Sequence, residues 1–260
     1  MIQALLLSYL GVAVFMGLLW YWQTQNGRGS IVDIFWTLGV MVLALIQLLQ
    51  VPVTPGPRHW LASLLITCWG VRLALFLAWR MKTLPEDARY VKLQERWGAS
   101  SPKRMFFFFQ FQAFGTILFA WPFILLAQNQ QPLGILDLVG TIIWGTGILG
   151  GTIADIQMTR FRRRVDNEKK VCRAGLWKYS RHPNYFFEWL HWCSYIFLAW
   201  FAPWGWLTLL APLILLLLIF FVTGIPPSEK QALARRGESY RQYQACTPVF
   251  IPWFPRPANK

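Results

Sequence analysis

The stretch Gly175–Trp192 reads GLWKYSRHPNYFFEWLHW, and its reading decides what kind of fold the chain has. Lys178, Arg181 and His182 stand in its first half. Pro183 and Asn184 then open an aromatic and apolar run that encloses one carboxylate, Glu188. Pro183 fixes its own φ and suits a first helical turn, while the residue before it, His182, is pushed to an extended shape. A helix therefore starts near residue 183, where water gives way to an apolar medium. Its free N–H groups form a site ready for a phosphate, with Lys178 and Arg181 just outside. The helical period puts Asn184 and Glu188 on one side, one turn apart. An amide and a carboxylate so placed can hydrogen-bond a carboxamide, a ribose or an amine.

The apolar medium is a bilayer. The chain has 260 residues, 55% hydrophobic and 14% charged, where a soluble domain carries about 25% charged residues. Trp (16) and Phe (20) are both abundant, and Trp favours membrane interfaces. A spanning helix needs roughly 20 mostly apolar residues. Seven stretches qualify: 2–22, 32–50, 60–80, 105–127, 134–156, 185–202 and 205–224. The first has no basic leader region and no small-residue cleavage site, so it reads as a retained helix. The sixth and seventh are short and joined by APWG at 202–205, as in a helical hairpin.

Net charge of +14 invites a nucleic-acid reading, which its distribution opposes. Arg80 to Arg104 make the third loop basic, Arg160 to Arg181 the fifth, and Lys230 to Lys260 the tail. The fourth and sixth loops carry no Lys or Arg, and the second only Arg58. Positive loops stay in the cytoplasm, which gives an outside N-terminus and a cytoplasmic C-terminus. The whole is expected to be one integral membrane domain, all-α, over residues 1–260. Residues 225–260 form a cytoplasmic tail helix against the membrane face, ending in an anchor of Phe250, Trp253 and Phe254. Cys68, Cys172, Cys193 and Cys246 form no CxxC pair and have no His at ligand spacing, so neither a disulfide nor a metal site is expected.

Charges near apolar segments cost several kcal/mol unless paired, so each needs a reason. Asp33 opens the second span, Asp155 ends the fifth, Glu188 lies about one turn into the sixth and Glu229 follows the seventh. All four should converge at the cytoplasmic face. Asp155 lies near a helix C-terminus, where the dipole disfavours a negative charge. Arg72 is the lone base inside a span, and Asp137 can cap the fifth helix. His191 reads as a core histidine and His182, on the plainer reading, as a solvated turn residue. Rossmann, Walker, GxSxG and HExxH patterns are absent.

GLWKYSRHPNYFFE, with ADIQMTRFRRR at 154–164, PPSEKQALARRGESYRQYQACTPVFIPWFP at 226–255, VDIFW at 32–36 and PEDARY at 85–90, resembles the steroid 5-alpha-reductase superfamily, above all a large bacterial branch of it. The resemblance implies a bacterial inner-membrane enzyme that uses NADPH to reduce a carbon–carbon double bond in a membrane lipid. It implies cofactor roles for Asp155, Tyr179, Asn184 and Glu188, with Arg162 and Arg163 on the 2′-phosphate and pyrophosphate. It implies cofactor binding by Arg181, His182 and Tyr185 as well, with Glu229 and Tyr240 closing the pocket from the tail. One departure matters. Steroid 5-alpha-reductases carry an early Gln-Glu pair and a tyrosine in the next helix to polarise a 3-keto oxygen. Here Asp33, Trp36 and Trp69 occupy those regions. The proton donor is then Tyr90, Glu86, Asp87 or Asp33. The RHPNY stretch and the tail also resemble isoprenylcysteine carboxyl methyltransferases. That likeness implies S-adenosylmethionine instead, with Glu229, Tyr240 and Tyr243 serving it.

Overall fold

The computed structural model describes residues 2–50, 54–167 and 170–257. Lys169 and Lys260, counted above with the basic loop and tail, lie outside the described residues. The fold is all-helical: α1 (Ile2–Asn26), α2 (Ile31–Gln50), α3 (Pro57–Thr83), α4 (Ala88–Trp97), α5 (Ser101–Ala120), α6 (Pro122–Leu126), α7 (Ile135–Arg162), α8 (Leu176–Tyr179), α9 (Pro183–Ala199), α10 (Leu210–Leu217), α11 (Ile225–Arg236) and α12 (Glu238–Cys246). Among the described residues, six segments are long and apolar enough to cross a membrane. Apolar side chains such as Leu7, Ile135 and Phe221 point outward along them, as a lipid-facing surface requires. The chain is an integral membrane protein.

The expected sixth span is the exception. Helix α9 has 17 residues, about 25 Å at 1.5 Å per residue, short of a hydrocarbon core of about 30 Å. It starts at Pro183, as the proline argument requires. The expected fourth span breaks at Pro122, which supplies no N–H to the helix ladder, so α5 ends and α6 begins there.

Two compact units make up the chain: Met1–Leu133 with Leu198–Gly205, and Gly134–Phe197 with Trp206–Lys260. In the first, α2 packs on both α3 and α5, and α1 on α5. Close approach needs small residues at the crossings. A Cβ on Gly70 would stand 2.7 Å from the Met41 sulfur, and one on Gly39 would stand 3.0 Å from Thr116. The half-buried Trp36 meets the buried Trp69 and Phe119 edge-on. Arg58, read from sequence as a lone loop charge, is instead buried in the first turn of α3. It donates to the carbonyls of Asn129, Gln131 and Pro132 at 3.1, 2.6 and 3.0 Å, and so pins the connection after α6.

In the second unit α7 and α9 run antiparallel through a glycine contact. A Cβ on Gly147 would come within 2.8 Å of the His191 backbone N and the Phe187 carbonyl, and one on Gly150 within 2.4 Å of the Phe187 ring. His191 is fully buried here. This register sets Asp155, farther along α7, level with the first turn of α9. Asp137 Oδ2 accepts from the Gly134 N–H at 2.8 Å and caps the start of α7. Gly237, at φ 51°, turns the chain between α11 and α12. The tail then folds back: Phe250 is buried against Phe186, Trp189 and Phe220, so of the three expected anchor residues only Trp253 and Phe254 face outward.

The glycine contact generates a prediction. Gly147→Val meets backbone atoms that cannot step aside, so it destabilises the fold by about 1–3 kcal/mol. Thermal unfolding in detergent measures this, and an unchanged midpoint counts against the α7–α9 register.

Candidate active site

The sequence-derived residues fall into two polar clusters, one in each unit. In the first unit, Asp33 in the opening turn of α2 meets the loop and first turn of α4. Tyr90 donates its phenol proton to Asp33 Oδ1 at 2.6 Å, and Arg89 reaches Asp33 Oδ2 at 3.3 Å. Asp87 caps α4 by accepting from the Arg89 N–H at 2.9 Å, and its side chain also holds the guanidiniums of Arg89 and Arg80. Glu86 Oε1 accepts from the backbone N–H groups of Ser30 and Asp87. All four candidates for proton chemistry are thus brought together around two arginines.

Access differs among them. Tyr90 is 3% exposed, enclosed by Phe108 and by Gly29, where a Cβ would stand 3.0 Å from its ring. Asp33 is more open, beside a small cleft lined also by Ser30, Arg80 and Asp87. Burial pushes the Asp87 carboxyl up, but Arg89 and Arg80 outweigh it and hold the group well below the usual carboxylate range.

In the second unit the RHPNY stretch is bound to the tail. Arg181 donates through Nε to Glu229 Oε1 at 2.7 Å, and through one terminal nitrogen to the Gln244 and Thr247 carbonyls at 2.9 and 2.8 Å. Gln244 donates to Glu229 Oε2 at 2.7 Å, and His182 Nε2 lies 3.3 Å from Oε1. His182 is buried rather than solvated, its ring parallel to Tyr185 at 5.4 Å, and Tyr185 in turn pairs with Ser228. Backbone bonds run alongside: Arg181 N–H to Pro248 and Trp253 N–H to Tyr179, both at 2.9 Å, and the Ser180 hydroxyl to Phe250 at 2.7 Å. Tyr243 donates to the Trp177 carbonyl at 2.5 Å. Burial first, and the Glu229 charge second, push Tyr240 above its ordinary value, so it stays a proton donor at neutral pH.

Arg181, His182, Tyr185, Glu229 and Tyr240 are therefore one network, with Gln244 and Ser228 as members that sequence reading missed. Asn184 and Glu188 lie beside it on α9, both half-buried. The Asn184 amide makes no hydrogen bond among the described residues, and the first-turn N–H groups of a helix have no partner within it. Glu188 Oε1 lies 3.7 Å from His191 Nδ1. Asp155 is half-buried on α7, and Arg162 and Arg163 stand exposed at its end. Burial pushes the Cys172 thiol up, which makes it a poor nucleophile.

A helical bundle built for a bilayer, with polar clusters at the ends of its helices, defines a polytopic membrane protein. Its family follows from comparison: the chain belongs to the family described as "Protein of unknown function (DUF1295)", matched over residues 19–247, within the steroid 5-alpha-reductase superfamily. It is similar to human 3-oxo-5-alpha-steroid 4-dehydrogenase 1, 35% identical over 63 residues, which is 24% of each chain. The proteins of that name from Macaca fascicularis and Bos taurus are 33% and 32% identical over 63 and 69 residues, 24% and 26% of each chain. The similarity thus spans about a quarter of the length of these curated relatives. No solved structure matches the chain.

Two outcomes follow from the clusters. Arg181→Lys keeps the charge but cannot serve a carboxylate and two carbonyls at once, so it lowers stability, and Arg181→Ala lowers it by about 3 kcal/mol or more. Unfolding midpoints in detergent check both, and a wild-type midpoint for Arg181→Lys rules out the fork. Asp87 carries a depressed pKa, so its contribution is fully present above the unfolded value of about 3.9 and is lost as pH falls through the folded value. Proteolysis of the 84–97 segment should accelerate only below about pH 4, and Asp87→Asn should abolish that step.

Proposed function

We propose that this protein is an NADPH-dependent reductase of a carbon–carbon double bond in a membrane lipid, with its cofactor held at the cytoplasmic side of the bundle. The observation that carries the reading is membership of the superfamily over nearly the whole chain, together with relatives named as 3-oxo-5-alpha-steroid 4-dehydrogenases. No Gln-Glu pair lies in α2 or α3 (Gln94 and Glu95 adjoin on α4), which leaves the lipid class as steroid-like, isoprenoid or unsaturated acyl. The basic loops after α3 and α7 support a cytoplasmic side of a bacterial inner membrane for both; an outside N-terminus with a cytoplasmic C-terminus needs an odd number of crossings, and so needs the 17-residue α9 to cross with the six longer segments.

The residues present suit such a cofactor. The unengaged Asn184 amide matches a carboxamide, Glu188 and Asp155 can accept from amide or ribose hydroxyls, and Tyr179 can border the site. The exposed Arg162 and Arg163 suit phosphate groups. Arg181, His182, Tyr185, Glu229 and Tyr240 act one step back: they fix the start of α9, so the groups that would touch the cofactor keep their positions. The bound cofactor would supply a hydride. The reaction also needs a proton, and in the first unit the Tyr90–Asp33 hydrogen bond, 2.6 Å long, is an arrangement that can hold one.

Purified protein in detergent should be thermally stabilised by NADPH, and Glu188→Ala should lose that shift while unfolding at its own normal midpoint without ligand. Stabilisation by S-adenosylmethionine and not by NADPH would assign the site to methyl transfer and sink the reductase reading.

A further inference from the structure

We infer that the outward face of residues 251–256 is a bilayer-interface contact that takes anionic lipid headgroups. Ile251, Trp253 and Phe254 are 61%, 68% and 73% exposed, an apolar cluster that would be a liability in water. The backbone beneath it is fixed. Trp253 N–H is held by Tyr179, Arg256 N–H by Cys246 and the Phe250 carbonyl by Ser180, and Pro252 and Pro255 stiffen what lies between.

The level of this face is set by Phe250. Its ring packs on Phe220 at 5.1 Å, in the last turn of the apolar run before the chain bends at Thr223 and Gly224. The adjoining Phe221 and Val222 are themselves exposed. The tail thus returns to the depth at which the final apolar segment ends, and its aromatic residues extend that lipid-facing surface. Tryptophan is favoured at this depth.

Charge then selects the lipid. Arg256 is exposed at a groove formed with Gln244 and Thr247, and its guanidinium makes no hydrogen bond among the described residues. Lys230 and Arg235 are also exposed on α11, while Arg241 on α12 pairs with the exposed Glu238 at 3.3 Å. A basic cap beside a set of interfacial aromatics fits phosphate-bearing, net anionic headgroups. This inference rests on the membrane embedding and stands apart from the reductase reading.

The test places a bimane on Trp253→Cys in the full chain with Cys68→Ala, the other three cysteines being buried or half-buried. Arg241→Cys serves as the control. In phosphatidylcholine vesicles the probe at 253 should be quenched several-fold more by lipids with a doxyl group near the headgroup than by aqueous iodide, with the reverse at 241. Adding phosphatidylglycerol should deepen the lipid quenching at 253, and Arg256→Gln should remove that increment. Iodide quenching at 253 equal to that at 241 overturns the contact, and no phosphatidylglycerol effect overturns its anionic preference. A second variant needs no label: Trp253→Glu with Phe254→Glu should speed tryptic cleavage after Arg241 in vesicles, and an unchanged rate also overturns the contact.

Discussion

Glu229 is a half-buried carboxylate on which two distant parts of the chain close. Arg181 and His182 approach from the segment before α9, and Gln244 from α12. An ionised carboxylate so placed is tolerated only when its oxygens are filled, and here each oxygen accepts a short bond. One terminal nitrogen of Arg181 then reaches two tail carbonyls. The helix start, the tail hairpin and the returning strand are thereby tied to a single charge, and the groups on the first turns of α9 inherit their places from it.

This changes how the chemistry of RHPNY divides. A cation next to a helix N-terminus reads from sequence as a phosphate ligand, and Arg181 was such a candidate. Its guanidinium is engaged by Glu229, Gln244 and Thr247, and Arg162 and Arg163 are exposed at the end of α7. The same division holds in the first unit, where Asp87 is locked between arginines and acts as a helix cap, while Asp33 keeps an open edge. Residues of one type separate into those that build a site and those that can use it.

Much of the architecture was legible because lipid imposes a coarse rule: long apolar runs become helices. That rule found α1, α2, α3 and α7 and placed the start of α9 through Pro183. It gave α9 the length of a full crossing, which its 17 residues fall short of, because helix length is decided by where Ala199 to Gly205 turn. Arg58 was read by charge alone, since its partners lie some seventy residues away and no local pattern marks them. Phe250 was grouped with Trp253 and Phe254 because composition cannot tell which aromatic of a Pro-rich strand faces inward. In the site, Asp33 and Tyr90 were both candidates, but their union needed the fold. Arg80, Arg89, Gln244 and Ser228 were missed because ordinary polar residues acquire meaning only from a distant partner.

The strap of residues 248–253 has one more consequence, and it concerns time. A chain is synthesised from its N-terminus, so these residues leave the ribosome after α1 to α10 have emerged. Until then Tyr179, Ser180 and Arg181 lack the partners that hold them, and α9 begins without a fixed start. Insertion into the bilayer and completion of the site are therefore separate events. The helices described here can be threaded through the membrane with the site still unfinished, residues 248–253 fixing the start of a helix made well before them.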